Sequence, residues 1–142
     1  MQNRQTNRNT IKKILVVDDD EMHLQMAREL LQDDRFEVIT HHNGYGVPER
    51  VKALQPDLVL VDINMPGLSG DRLAQLLRDS DDTNHVPIVF YSSNDEDSLR
   101  KIVSTCDVQG YICKGDPGNL HKKVSQYLDA APEINRSRTR TD

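Results

Sequence analysis

The sequence has no tryptophan, two cysteines and only 4% aromatic residues in a chain of 142. It also lacks any window near the roughly 20 apolar residues that a membrane helix needs. The opening MQNRQTNRNT has no apolar stretch of the kind that a secretory signal carries, so a cytoplasmic protein is expected. Cys106 and Cys113 are too few for a disulfide framework and read as packed apolar residues. A basic footprint is missing too. The net charge of −5 argues against direct nucleic-acid binding. Arg136, Arg138 and Arg140 alternate near the end, but their polar surroundings read as a solvated tail. There are no internal repeats and no low-complexity segment.

What the chain does have is a regular beat. Apolar runs rich in branched residues occupy 14–17, 36–40, 58–61, 88–91 and 111–113. Runs without alternation suit strands covered on both faces, as in a parallel sheet. The stretches between them carry helical spacing, as in Ala27 with Leu31, Leu73 with Leu77, the series Leu99, Ile102, Val103 and Cys106, and Leu120 with Val124. Pro48 and Pro117 stand where a first helical turn tolerates proline, and Asp116 is placed as an N-cap. Ser93 with Glu96 fits a capping box for the fourth helix. The expectation is a doubly wound α/β domain of flavodoxin-like (βα)5 architecture, with a parallel five-stranded sheet of order 2-1-3-4-5. It should span residues 12–130, between a disordered arm at 1–11 and a disordered tail, or the start of a linker, at 131–142.

In such sheets ligands bind beyond the carboxyl ends of the strands, where the strand order reverses. The first strand ends in Asp18, Asp19 and Asp20, the third in Asp62, the fourth in Ser92, Ser93 and Asn94, and the fifth in Lys114. Two unit charges about 4 Å apart repel by about 4 kcal/mol at an effective dielectric of 20. A hard divalent cation removes that penalty, and Mg2+ accepts carboxylates together with phosphate oxygens. The acidic run is therefore read as half of a Mg2+ site. Capping the first helix would use one acid, and Asp20 is free for it. His41 and His42 end the outermost strand, remote from this point, and are not read as metal ligands.

The ordered set VVDDD, VLVDINMPGLSG, PIVFYSS and GYICK resembles the response regulator receiver domain of two-component signalling, over about residues 12–130. The resemblance implies that Asp62 is the phosphoacceptor. By the same match Asp19 is a direct metal ligand, Asp18 reaches the metal through water, and Asn64 gives its backbone carbonyl. Ser92 and Lys114 match the hydroxyl and the cation that meet the phosphoryl group, and Tyr111 the aromatic switch position. The implied activity is a phosphorylation-dependent switch, not an enzyme in its own right. It would be charged by a histidine kinase or phosphotransfer protein and would signal to a protein partner through the fourth helix, fifth strand and fifth helix.

One departure stands out. The family usually has proline directly after the strand-five lysine, whereas this chain reads Lys114-Gly115-Asp116-Pro117. The Lys114–Gly115 bond is therefore expected to be trans. Two other readings remain open at this level. One is a receiver-like module that binds partners without phosphorylation. The other is a haloacid-dehalogenase-type phosphohydrolase, for which Asp62 would go unexplained.

Overall fold

The computed structural model describes residues 10–141, with side chains to residue 130. Five strands, β1 (Lys12–Val17), β2 (Phe36–His41), β3 (Leu58–Val61), β4 (Ile88–Ser92) and β5 (Gly110–Cys113), form one sheet. All its pairings are parallel and the order is β2-β1-β3-β4-β5, as the sequence pattern predicts. Between and after them run α1 (Glu21–Leu31), α2 (Val47–Leu54), α3 (Gly70–Asp79), α4 (Glu96–Thr105) and α5 (Leu120–Thr141). A single 3-10 turn, Pro117–Asn119, leads into α5. The tail expected from 131 falls on residues of α5 whose side chains are not described, and the arm to residue 9 lies outside the described residues. Among the described residues no helix is long and apolar enough to cross a membrane.

The continuous apolar strands have a direct cause. Successive side chains point to opposite faces of a sheet, and here both faces are covered. Ile14 and Val16 pack with Leu24, Ala27 and Leu31 of α1 and with Leu120, Val124 and Leu128 of α5. Leu15 and Val17 pack with Val47 and Val51 of α2, Leu73 and Leu77 of α3 and Leu99 of α4. Each fully buried Leu, Ile or Val contributes about 1.5–3 kcal/mol. Two cores therefore lie back to back with the sheet between them.

The helix starts follow local chemistry, with one correction. The Asp20 carboxylate accepts from the backbone N–H groups of Met22 and His23, which caps α1 as expected. At α4 the capping residue is Asp95, which accepts from Ser98 N–H at 2.8 Å, and not Ser93. The box sits two residues later than predicted because Asp95 offers a carboxylate where the helix actually begins. Asp116 makes no backbone cap; its carboxylate accepts from the Asn119 side chain at 2.7 Å.

Register is what assembles the site. Val17 pairs with Val61, so the residues that follow, Asp18 and Asp62, leave neighbouring strands side by side. The Asp62 N–H still donates to the Val17 carbonyl at 2.9 Å. Ser92 pairs with Cys113, and the Lys114 N–H donates back to the Ser92 carbonyl at 2.9 Å. Adjacent strands lie about 4.8 Å apart, so side chains one residue past the last pairs are within reach of each other.

Candidate functional site

Asp18 and Asp62 are buried and Asp19 is exposed, and a ligand oxygen from each lies within 4.8 Å of the others. The sheet ends thus hold three carboxylates at one point. Lys114 supplies the opposing charge. Its ammonium donates to Asp18 and stands 3.5 Å from Asp62 Oδ2, with 8% of its side chain exposed. One cation facing three anions leaves two negative charges in excess.

The environment of Asp62 pulls in two directions. Burial, the largest influence, pushes its carboxyl above the usual carboxylate range, and the Lys114 ammonium pulls it back down. Asp18 pushes it up again, while hydrogen bonds from the Ser92 hydroxyl and the Asn64 N–H favour the ionised form. The net direction is upward. The folded state therefore holds its proton more tightly than the unfolded chain does. Stability from this group is present below the unfolded value of 3.8 and is lost as pH rises through the higher folded value. Asp62→Asn removes that loss. In EDTA near neutral pH it should raise stability by about 1 to 2 kcal/mol, the scale of typical single gains. Urea denaturation of both proteins across the carboxylate range and above checks this. A wild type as stable at neutral pH as at pH 4, relative to the variant, would refute it.

Asn64 and Asn94 join the rim, Asn64 donating its amide to the Asn94 side-chain oxygen. The Ser92 hydroxyl lies 3.3 Å from that same oxygen and is itself fully buried. Tyr111 does not join the cluster. Its hydroxyl donates to Glu96 of α4 at 2.8 Å, on the flank between α4 and β5. Asp19 is the most open of the acids and makes no hydrogen bond to the cluster among those described. The His41 ring is occupied structurally: Nε2 donates to the Tyr45 carbonyl at 2.7 Å and Nδ1 accepts from Arg50 at 3.2 Å. Cys106 and Cys113 are free thiols that pack against the second core.

Three neighbours were not singled out from sequence. His23 Nδ1 lies 2.9 Å from the Lys114 ammonium. The Tyr91 ring lies 5.6 Å from that ammonium. Gly70, the first residue of α3, brings its backbone against that of Asp62 so closely that an added Cβ would stand 2.2 Å from the Asp62 carbonyl oxygen. A helix that begins right after an acidic strand end places its first turn beside the site, and that rule would have flagged His23.

The matches to known proteins agree with one another. Residues 14–125 match the family model of the response regulator receiver domain. The chain belongs to that family. The receiver is 30% identical over 94 residues to the polar-differentiation response regulator DivK of Brucella anthropi, covering 63% of this chain and 76% of that protein. Its fold is that of the Vibrio cholerae chemotaxis protein CheY4, with a TM-score of 0.75 at 24% identity over 83% of this chain and 99% of that one. A putative response regulator from Chloroflexus aurantiacus superposes with a TM-score of 0.77 at 23% identity, over 84% and 99% of the two chains. The receiver is thus a module of two-component signal transduction.

The loop after Lys114 departs from the family in sequence, and its geometry can be stated. No described peptide bond is cis, so Lys114–Gly115 is trans as predicted. The Asp116 N–H donates to the Cys113 carbonyl at 3.4 Å, which closes a four-residue turn with Gly115 in third position. Neither Lys114 nor Gly115 has a positive φ, so the turn is of type I, since the other hydrogen-bonded types with trans bonds need one. Proline in third position of a type I turn forces the residue before it out of the helical region. Gly115→Pro should therefore destabilise the receiver by more than about 1 kcal/mol, although a Cβ at Gly115 would meet nothing within 4 Å. A urea midpoint equal to or above wild type would refute the turn assignment.

Proposed function

We propose that this receiver is a phosphorylation-operated switch in which Asp62 accepts a phosphoryl group from a histidine kinase or phosphotransfer protein. The observation that carries the reading is the convergence on Asp62, at the end of a central strand, of two further carboxylates and one buried ammonium. An Asp62 oxygen would form the new bond to phosphorus, while the bond from phosphorus to the donor nitrogen breaks and its electron pair leaves with the donor.

The donor set is all oxygen and in excess negative charge, which suits a hard divalent cation and in particular Mg2+. Asp18, Asp19, Asp62 and the Asn64 carbonyl would hold it. Bound there, it would supply positive charge against the phosphoryl oxygens. The protein's own groups do the rest. Lys114 offers an ammonium within reach of Asp62, and Ser92 offers a buried hydroxyl beside it. A phosphoryl group adds about −1.5 to −2 charges and several acceptor oxygens, so both groups would turn toward it. Movement of the loop after β4, which also begins α4, would release Tyr111 from Glu96 and let the ring turn inward. The face built from α4, β5 and α5 is then the surface offered to a downstream protein. No direct contact with nucleic acid or membrane is part of this reading.

The test is intact-protein mass after incubation with acetyl phosphate. A gain of one phosphoryl group with Mg2+ and none in EDTA is expected. A protein that gains no mass with Mg2+ would refute the switch. Mg2+ should also raise the thermal midpoint of the wild type and do much less for Asp19→Asn, because only a folded-state ligand shifts that balance.

A further inference from the structure

The ammonium of Lys114 has three polar side-chain partners among the described residues, each far from it in the chain. Asp18 and Asp62 are carboxylates, and the third partner is the imidazole of His23 at 2.9 Å. An ammonium can only donate, so His23 Nδ1 is the acceptor and the ring proton sits on Nε2. The ring is anchored from its backbone end, because the Asp20 carboxylate caps α1 through the N–H groups of Met22 and His23. His23 is 40% exposed at its side chain and belongs to neither core, so packing does not account for a ring at this position. Lys114, in contrast, hangs from a turn in which a Cβ at the next residue, Gly115, would meet nothing within 4 Å. Backbone bonds to Ser92 and within the turn hold the main chain, and the ammonium is placed by its side-chain partners.

We propose that His23 is a positioning residue, whose Nδ1 holds the Lys114 ammonium at the rim of the carboxylate cluster, ready for a phosphoryl group on Asp62. This rests on the reading of Asp62 as phosphoacceptor. In that reading the two carboxylates each acquire another partner, Asp18 the cation and Asp62 the phosphoryl group. Among the described residues His23 is the hydrogen-bond acceptor of the ammonium that competes for neither. As a neutral acceptor it orients Lys114 without cancelling the charge that the phosphoryl oxygens need.

Substitution separates this from a structural role. An asparagine carbonyl falls near the place of Nδ1, whereas a glutamine carbonyl extends to the place of Nε2. With acetyl phosphate and Mg2+, His23→Leu and His23→Gln should be labelled about tenfold more slowly than wild type, the factor that one hydrogen bond of ordinary net strength represents. His23→Asn should restore most of the rate, with thermal midpoints of the three variants close together. In a Lys114→Met background, His23→Leu should bring no further loss. A readout independent of labelling is the Lys114 ammonium proton signal of the metal-free protein in 15N NMR. It should persist in wild type and His23→Asn and exchange away in His23→Leu. If wild type is labelled and His23→Leu keeps its rate, or His23→Gln does as well as His23→Asn, the positioning role is overturned. A further loss in the Lys114→Met background overturns it too. A wild type that takes no label at all overturns the phosphoacceptor reading instead, and the positioning role with it.

Discussion

Asp62→Asn should take up no phosphoryl group from acetyl phosphate under conditions in which the wild type is fully labelled. The receiver carries 23 Asp and Glu residues, so specificity has to come from placement and not from chemistry alone. Asp62 combines burial, an ammonium 3.5 Å away and two further carboxylates to share a cation. Asp18 is as buried but is engaged by Lys114 and by the Asp20 N–H at 3.0 Å, and Asp19 is open to water. An amide at 62 keeps the shape and loses the nucleophile. Because the chain has no tryptophan, mass or gel mobility is the readout, not indole quenching. A labelled Asp62→Asn protein would move the acceptor to another acid.

Gly70→Ala should be among the most damaging small changes in the fold. The new methyl would stand 2.2 Å from the Asp62 carbonyl oxygen and 2.8 Å from both the Asp62 carbonyl carbon and the Ile63 Cα. All three are backbone atoms, so no side chain can swing aside. The Gly70 N–H also donates to the Ile63 carbonyl at 2.8 Å, which ties the start of α3 to the loop leaving β3. Relief would require α3 or the Asp62 loop to shift, and overpacking of this kind costs about 3 kcal/mol. Urea denaturation should show it, with Ser69→Ala as a control, since Ser69 makes no side-chain cap bond to α3. A loss below about 1 kcal/mol would mean the loop has slack. Labelling of whatever Gly70→Ala protein folds should slow as well, because the shift falls on Asp62 itself.

The strand order and the two helical layers were legible because their cause is local and periodic. Branched runs three to five residues long cannot alternate faces without apolar cover on each, and five such runs separated by helical spacing leave few arrangements. The acids were legible because strand ends aim at one edge. His23, Tyr91 and Gly70 were not, since each matters through an encounter across the fold. His23 meets Lys114 across 91 residues, and Gly70 meets the backbone of Asp62 because α3 turns back on its own strand. The capping of α4 was misread by two residues because Ser93, Asp95, Glu96 and Ser98 offer two overlapping boxes, and sequence alone does not say where the strand lets go. Tyr111 was placed on the correct strand, while its bond to Glu96 depends on the side-chain direction that only the packed flank decides.

The sheet also partitions the molecule's mutational arithmetic. Ile14 and Leu15 are bonded neighbours, yet one belongs with α1 and α5 and the other with α2, α3 and α4. Helices on opposite faces are about 20 Å apart, twice the usual 10 Å layer spacing, and their buried side chains share no partners. Leu31→Ala and Leu77→Ala, each worth about 2 to 5 kcal/mol, should therefore sum to within about 0.5 kcal/mol in the double variant. Departures from that sum belong at the strand ends, where Lys114 after β5 reaches Asp62 after β3 and Asp18 after β1. Non-additivity mapped across the chain would draw the functional edge of the receiver without any ligand being present.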